Sequence, residues 1–239
     1  MNILFVVPFV CAMVIYLVSF KDGIQVCDNY ILVSYLYALF YLSIVSVGIK
    51  VCIDKKWWNL SLGALMGLIV GLFVVQFTML NIPKEFFVSK HLLSVGFSML
   101  ISLLLASLFV MYAPSSIAMA ALSTTVVFSL LTLLAWKYQE QIASKISMTM
   151  TILFFVLIFA ELLIGIVFPN SLLEKGIILV VLMMIGYLLL IKTKQIIEHE
   201  KTCESEGGPD YVNEGTGLML SFENLLIRIL TLFGKRKLK

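Results

Sequence analysis

The last apolar stretch of the chain, Gly215 to Gly234, contains side chains that could bind or conduct ions. Its polar residues are Ser221, Glu223, Asn224, Arg228 and Thr231. At about 100° per residue, all of these except Glu223 fall within about 80° of one another on a helix. An unpaired polar group that faces lipid costs several kcal/mol. The four residues on one face form a polar stripe, which is therefore expected to face protein, a water-filled cavity or the headgroup layer. A water-filled cavity would suit an ion path.

A second candidate for ion chemistry is Glu161, which lies inside another apolar stretch. Acidic residues within a membrane are rare and are usually functional or paired. Three interpretations remain open for Glu161: a role in an ion path, a structural pair with Lys or Arg, or a protonated and buried carboxyl. A pair with Arg228 would require the two helices to be neighbours, which the sequence does not establish.

The composition is typical of a membrane protein. Of 239 residues, 61% are hydrophobic and 13% are charged, whereas a soluble domain is about half apolar and about a quarter charged. Lipid is therefore the expected solvent for most of the chain. The net charge of +3 is small and scattered, so there is no electrostatic footprint for nucleic acid.

The sequence contains no recognisable catalytic or metal-binding motif. HExxH, GxSxG and phosphate-binding glycine loops are all absent, so we expect neither an enzyme nor a cofactor. The four cysteines, Cys11, Cys27, Cys52 and Cys203, do not have metal-ligand spacing. Three of them lie in or beside apolar segments, where a cysteine usually acts as a small hydrophobic residue.

The apolar pattern predicts a single transmembrane domain over residues 1–234, an acidic loop at 198–214 and a basic tail at 235–239. A membrane helix needs roughly 20 apolar residues. The predicted segments lie at about 2–20, 30–51, 60–80, 92–112, 115–136, 147–168, 177–191 and 215–234. The first lacks the basic start and cleavage pattern of a secretory signal, so we expect a retained helix, with a cleaved signal as the alternative.

The acidic loop lacks the alternating oxygen ligands of an EF-hand, so we expect a solvated, mobile loop rather than a calcium site. Lysines and arginines divide equally between the two sides if all eight segments cross. If the last segment dips in and returns, most of them lie on the side of the acidic loop. The positive-inside rule then places the acidic loop and the tail in the cytosol.

Several motifs resemble the Bax-inhibitor superfamily, also called the TMBIM or lifeguard family, over roughly residues 90–234. The most specific is Leu218 to Leu225, LMLSFENL, followed by Leu-Phe-Gly at Leu232 to Gly234. Weaker matches are Ser94 to Phe97, Ala120 to Thr125, Phe168 to Ser171 and Lys192 to Ile196. The resemblance implies an all-α, polytopic membrane bundle with a seven-helix core, one extra N-terminal helix, and a last segment that is central or re-entrant.

Members of this family are calcium-leak channels or pH-sensitive calcium modulators of internal membranes, with cytoprotective effects. The resemblance implies a pore closed by the last helix, where two aspartates share a proton and latch the pore. The matching positions here are Lys192 and Ser221. Two close carboxylates titrate as a coupled pair, which a lysine and a serine cannot do, so we do not expect this latch. The candidate residues for an ion path or gate are Glu161, Lys192, Ser221, Glu223, Asn224 and Arg228.

Two other features have functional interpretations. His91, which begins the fourth segment beside Lys90, is a candidate pH-responsive group, and interfacial snorkelling is the alternative. Lys235 and Lys237 are spaced as in a dilysine retrieval signal for the endoplasmic reticulum. The alternative is a basic tail that binds anionic lipid.

The leading hypothesis is an integral membrane modulator of calcium or other cation leak and of cell-death or stress responses. The alternative is a non-conducting membrane adaptor. The expected partners are the lipid bilayer, calcium or other cations, and partner membrane proteins, but no nucleic acid. The protein is expected to be multi-pass, in the endoplasmic reticulum or another internal membrane if eukaryotic or viral, and in the inner membrane if bacterial.

Overall fold

The computed structural model describes residues 3–143, 146–167 and 171–237. These residues form eight α-helices and one short β-hairpin. Six of the helices are long and apolar enough to cross a membrane, judged by length and composition. The predicted all-α polytopic membrane bundle is thus confirmed. The elements are α1 (Ile3–Ser19), β1 (Phe20–Lys21), β2 (Ile24–Gln25), α2 (Tyr30–Asp54), α3 (Leu62–Asn81), α4 (Phe87–Phe109), α5 (Pro114–Lys137), α6 (Met148–Val167), α7 (Leu172–Thr202) and α8 (Tyr211–Phe233).

The last two helices extend beyond the apolar segments at 177–191 and 215–234. Helix α7 continues to Thr202, and α8 begins at Tyr211. Hydropathy marks only the apolar part of a helix, whereas the backbone hydrogen bonds continue through charged residues at its ends. As a result, the connection between α7 and α8 spans only residues 203–210, which is shorter than the predicted acidic loop at 198–214.

Some predicted features fall on residues outside the described ranges. These are residue 2 of the first segment, most of the Phe168 to Ser171 motif together with the end of the segment at 147–168, and the last two residues of the tail. The single transmembrane domain over residues 1–234 stays a prediction.

The chain divides into two compact units. The first contains Met1–Met111 and His199–Met219, and the second contains Tyr112–Glu198 and Leu220–Lys239. Helices α1 to α4 therefore belong to the first unit with the start of α8. Helices α5 and α6 belong to the second, with most of α7 and the rest of α8.

Two glycines allow close approaches in the first unit, where α2 packs against α1 and α4. A Cβ at Gly48 of α2 would lie 2.3 Å from Ser102 Oγ of α4. A Cβ at Gly215 of α8 would lie 2.4 Å from Tyr37 Cβ of α2. Both distances are far inside van der Waals contact, so only glycine allows the helices to pack this closely.

The hairpin between α1 and α2 is a local structure that hydropathy does not detect. Its turn is Asp22-Gly23, and both residues have positive φ, 52° and 79°. An Asp-Gly pair is typical of the type I′ turn, whose twist matches that of the flanking strands. The turn leads the chain back toward Cys27.

The structure contains a disulfide bond between Cys27 and Cys203. The prediction that cysteines in or beside apolar segments act as small hydrophobic residues is wrong for Cys27, whereas Cys203 lies in the predicted acidic loop and was not covered by it. The two positions are 176 residues apart, and spacing alone cannot reveal such a contact. Cys11 and Cys52 are free and buried, as expected for small hydrophobic residues.

The loop between α7 and α8 is held by further contacts in the first unit. Lys84 Nζ donates hydrogen bonds to the carbonyl oxygens of Glu206 and, at 2.8 Å, of Gly208. Tyr211 Oη donates a hydrogen bond of 2.6 Å to the carbonyl oxygen of Val26, beside the disulfide. The loop is thus anchored, whereas the sequence predicts a solvated, mobile segment. Disulfides are typical of oxidising compartments, which disfavours the predicted cytosolic position of this loop.

In the second unit, the chain after α8 is anchored to the start of α5. Tyr112 and Arg236 form an isolated antiparallel β-bridge. The amide of Ala113 donates to the carbonyl oxygen of Lys235 at 3.0 Å. In turn, the amide of Lys235 donates to Ser116 Oγ at 3.0 Å. The basic tail therefore begins at a defined position.

Reduction of the disulfide is expected to lower the free energy of unfolding by about 2–5 kcal/mol, because the bond closes a long loop in the unfolded chain. Thermal unfolding of detergent-purified protein, with and without a reducing agent, measures the effect. Wild type and Cys52→Ala should both melt at a lower temperature in reductant, whereas Cys27→Ser should melt at one temperature in both conditions. Equal melting temperatures for reduced and oxidised wild type would contradict the prediction.

Candidate functional site

A buried ion pair joins α6 to α8 in the second unit. Arg228 Nη2 lies 3.1 Å from Glu161 Oε2, and the two side chains are only 12% and 16% exposed. The structure thus matches the pairing interpretation of Glu161 and makes α6 and α8 neighbours at this point. Arg228 Nε is also buried, and it makes no hydrogen bond to the residues that the structure describes. Glu161 Oε2 likewise accepts no hydrogen bond from the described residues, so the two groups form a charge pair without the hydrogen bonds of a bidentate fork.

The other polar residues of the stripe on α8 are largely satisfied within their own helix. Asn224 Nδ2 donates to the carbonyl oxygen of Leu220 at 2.9 Å. Thr231 Oγ1 donates to the carbonyl oxygen of Ile227 at 2.8 Å. Such bonds back to the preceding turn let a polar side chain lie in apolar surroundings at low cost. Ser221, Asn224 and Thr231 are half-buried.

Glu223 is an unusual residue of the second unit. Its side chain is 4% exposed, and Oε1 accepts no hydrogen bond from any residue that the structure describes. On α8 it lies five residues before Arg228, which places the two side chains about 140° apart around the helix axis. A buried carboxylate without a partner is costly, which makes Glu223 a candidate functional residue distinct from the ion pair.

The basic residues near the end of α7 differ in burial. Lys192, a predicted gate residue, is half-buried. Lys194, which the sequence analysis did not select, is buried, and its Nζ donates to the carbonyl oxygen of Ile142 at 2.6 Å. Lys194 Nζ also lies 3.6 Å from Glu198 Oε1. The spacing of four residues between Lys194 and Glu198 is the sequence signal that could have indicated this contact.

His91 lies between aromatic rings in the first unit. Its ring stacks on Phe40 and on Phe87, with centroid distances of 5.4 Å and 5.6 Å. Tyr41 Oη is 3.1 Å from His91 Nδ1. The half-buried imidazole also lines a cavity of about 170 Å³ with Tyr37 and other residues of α1, α2 and α4. A pH-responsive role for His91 stays a prediction.

The start of α8 carries a polar cluster that the sequence analysis did not find. Lys90 Nζ lies 2.6 Å from Asp210 Oδ2, and Lys90 is 2% exposed. Lys90 is therefore paired and buried inside the first unit. His199 Nδ1 lies 2.7 Å from Glu214 Oε1.

The predicted retrieval residues are exposed, as a receptor-binding signal requires. Lys235 and Lys237 have exposed side chains, although the backbone at Lys235 is hydrogen-bonded to the start of α5. The spacing that defines a dilysine signal includes Leu238 and Lys239, which lie outside the described residues. The retrieval function stays a prediction.

Together, the apolar helices and the charge pair between α6 and α8 define a multi-pass membrane protein with charged groups buried in its helical core. The chain matches a family model described as Bax1-I, inhibitor of apoptosis-promoting Bax1, over residues 27–237. It therefore belongs to this family, as the motifs of the sequence predict. The match extends further toward the N-terminus than the predicted 90–234, and it leaves α1 outside. No curated protein and no solved structure gives a significant match.

The ion pair can be tested by its effect on stability. Arg228→Leu should lower the free energy of unfolding by about 3 kcal/mol, because removal of one partner leaves the other charge buried and unpaired. Glu161→Gln should also destabilise the protein. The double variant should be more stable than the sum of the two changes implies, as measured by denaturation in detergent.

A matched control for this cycle is Glu140→Gln. Glu140 is an exposed acid in the connection after α5, and its loss should change the free energy of unfolding by less than about 0.5 kcal/mol. Strict additivity of Arg228→Leu and Glu161→Gln would refute the coupling between the two side chains.

Proposed function

We propose that the protein modulates a leak of cations, with calcium as the first candidate, and that the Glu161–Arg228 pair closes the path. The observation that carries this proposal is the pair itself, which joins α8 to α6 in the second unit. Ionisable side chains inside a membrane are rare, and they commonly pair with one another and mark ion pathways. Arg228 belongs to the last helix, which is the pore-closing element in the family that the chain resembles.

The mechanism follows from the charges. With the pair formed, Arg228 neutralises the only acid that α6 provides within the described residues, and its own positive charge repels cations. When the pair separates, the Glu161 carboxylate becomes an acceptor for a cation, which is the role that acidic side chains have in cation channels. The single contact through Nη2, with Nε not hydrogen-bonded to described residues, suits a pair that can separate.

This arrangement would replace the acid pair of the family. The family latch depends on two carboxylates that share a proton, whereas Lys192 and Ser221 occupy those positions here. A carboxylate paired with a guanidinium cannot share a proton in this way, since arginine keeps its charge at any physiological pH. We therefore propose control by separation of an ion pair and not by proton sharing.

The cellular role follows the family description, inhibitor of apoptosis-promoting Bax1. A protein that adjusts cation leak from an internal membrane would influence cell-death and stress responses. We propose that role here, in the endoplasmic reticulum or another internal membrane of a eukaryotic or virus-infected cell, or in the inner membrane of a bacterium.

Reconstitution into liposomes that contain a calcium-sensitive dye tests the function. Arg228→Leu should increase calcium entry several-fold over wild type, because Glu161 is then unpaired in the path. Glu161→Gln combined with Arg228→Leu should remove this increase, and Glu140→Gln should behave as wild type. If wild type and Arg228→Leu both admit no more calcium than protein-free vesicles, the leak function is wrong.

A second candidate function is a non-conducting adaptor that binds partner membrane proteins. The observation that favours it is the surface of α5, where exposed apolar side chains lie beside small residues. Met119 and Leu122 are 63% and 61% exposed, beside small residues such as Ala118 that permit close helix approach.

The adaptor function makes a different prediction from the leak function. A photo-crosslinking amino acid at Leu122 should capture one defined membrane protein in native membranes. The same group at Phe73, which is exposed on α3, serves as a control for nonspecific capture. A defined product at Leu122, together with absent calcium flux, would replace the leak function by the adaptor function.

A further inference from the structure

A crevice of about 370 Å³ opens in the second unit between the start of α5 and the end of α8. Its lining includes the hydroxyl side chains of Ser115, Ser116 and Ser123. The apolar part includes Met119 of α5 and Ile229 of α8. Hydroxyl groups and apolar walls together suit an amphiphilic ligand.

The basic tail is part of this crevice. Lys235 belongs to the lining, and the backbone at this residue is fixed by hydrogen bonds to Ala113 and Ser116. Two further basic residues follow, Arg236 and Lys237, both exposed. The positive charge at the crevice therefore begins at a defined place and does not depend on the position of a free tail.

The lining is most polar at one end, and farther along α5 the hydroxyl of Ser123 lies beside apolar side chains. Ser115 and Ser116 lie in the first turn of α5 and Lys235 follows the end of α8, so this end of the crevice lies at two helix termini. Met119 lies one turn deeper on α5, and Ile229 lies about one turn before the end of α8. At 1.5 Å per residue, Met119 and Ile229 each lie about 6 Å from this end, measured along their helices.

The charge of the lining favours a negatively charged ligand. Lys235 is basic, and no acidic residue is among the residues that line the crevice. The N-terminus of α5 adds positive potential, because the first amides of a helix point outward. A negatively charged headgroup at this end would be complementary to all three features.

We propose that this crevice binds an anionic phospholipid, with its phosphate at Ser115 and Lys235 and an acyl chain along Met119 and Ile229. The site does not depend on cation leak. It differs from simple attraction of a basic tail to a charged surface, because it requires the shape of the crevice as well as the charge of the tail.

Native mass spectrometry of the purified full-length chain tests the site, with phosphatidylglycerol and phosphatidylcholine offered as separate probes. Wild type should retain phosphatidylglycerol and lose phosphatidylcholine. Lys235→Gln should weaken retention about fivefold, the amount expected for one basic residue near a membrane surface. Lys137→Gln removes an exposed charge at the other end of α5 and should have no effect.

The shape requirement is tested by filling the crevice without a change of charge. Ser123→Leu should reduce phosphatidylglycerol retention at least tenfold, whereas Ser129→Leu, which places the same side chain at an exposed position of α5 outside the lining, should not. Met119→Trp is a second filled variant, and its side chain is added at an exposed position. If Ser123→Leu fails to fold, Met119→Trp still tests the shape requirement. Melting temperatures of all variants accompany the measurement.

Three results would overturn the proposal. Wild-type retention in both filled variants would mean that the basic tail alone attracts lipid. Equal retention of phosphatidylcholine and phosphatidylglycerol would exclude selection by charge. Binding of inorganic phosphate alone, with displacement of the lipid, would indicate a small-anion site.

Discussion

The cost of placing a charge in apolar surroundings governs the arrangement of this protein. Arg228 is compensated by Glu161 within the second unit, and Lys90 by Asp210 within the first. Each of these pairs joins positions that are distant in sequence, so charge compensation also connects distant segments of the chain. Glu223 differs from these residues, because it is 4% exposed and forms no ion pair with a described residue.

The charged and polar side chains of α8 are compensated in different ways along the helix. At its start, Asp210 and Glu214 hold Lys90 and His199, and Gly215 permits close contact with α2. In its second half, the amide and hydroxyl groups of the stripe bond to their own backbone, whereas Arg228 reaches a second helix. One amphipathic pattern thus contains side chains with very different structural roles.

The sequence predicts those features that depend on local composition. Apolar runs indicate the helices, and the polar stripe indicates the residues of α8 that cannot face lipid. The partner of Arg228 remained open, because periodicity specifies the face of a helix but not which helix lies opposite. The disulfide and the Lys90–Asp210 pair were missed for the same reason, since each joins positions more than 100 residues apart. The Asp22-Gly23 turn was a readable local signal, hidden beside the end of α1.

The disulfide also has a consequence for counting membrane crossings. Two sulfur atoms can bond only if both lie in the same compartment, so an even number of crossings must separate Cys27 from Cys203. Among the described residues, six helices, α2 to α7, lie between them, and five of these are long and apolar enough to cross by length and composition. If those five cross, α6 must cross as well, because a return on the same side would leave the cysteines on opposite faces of the bilayer.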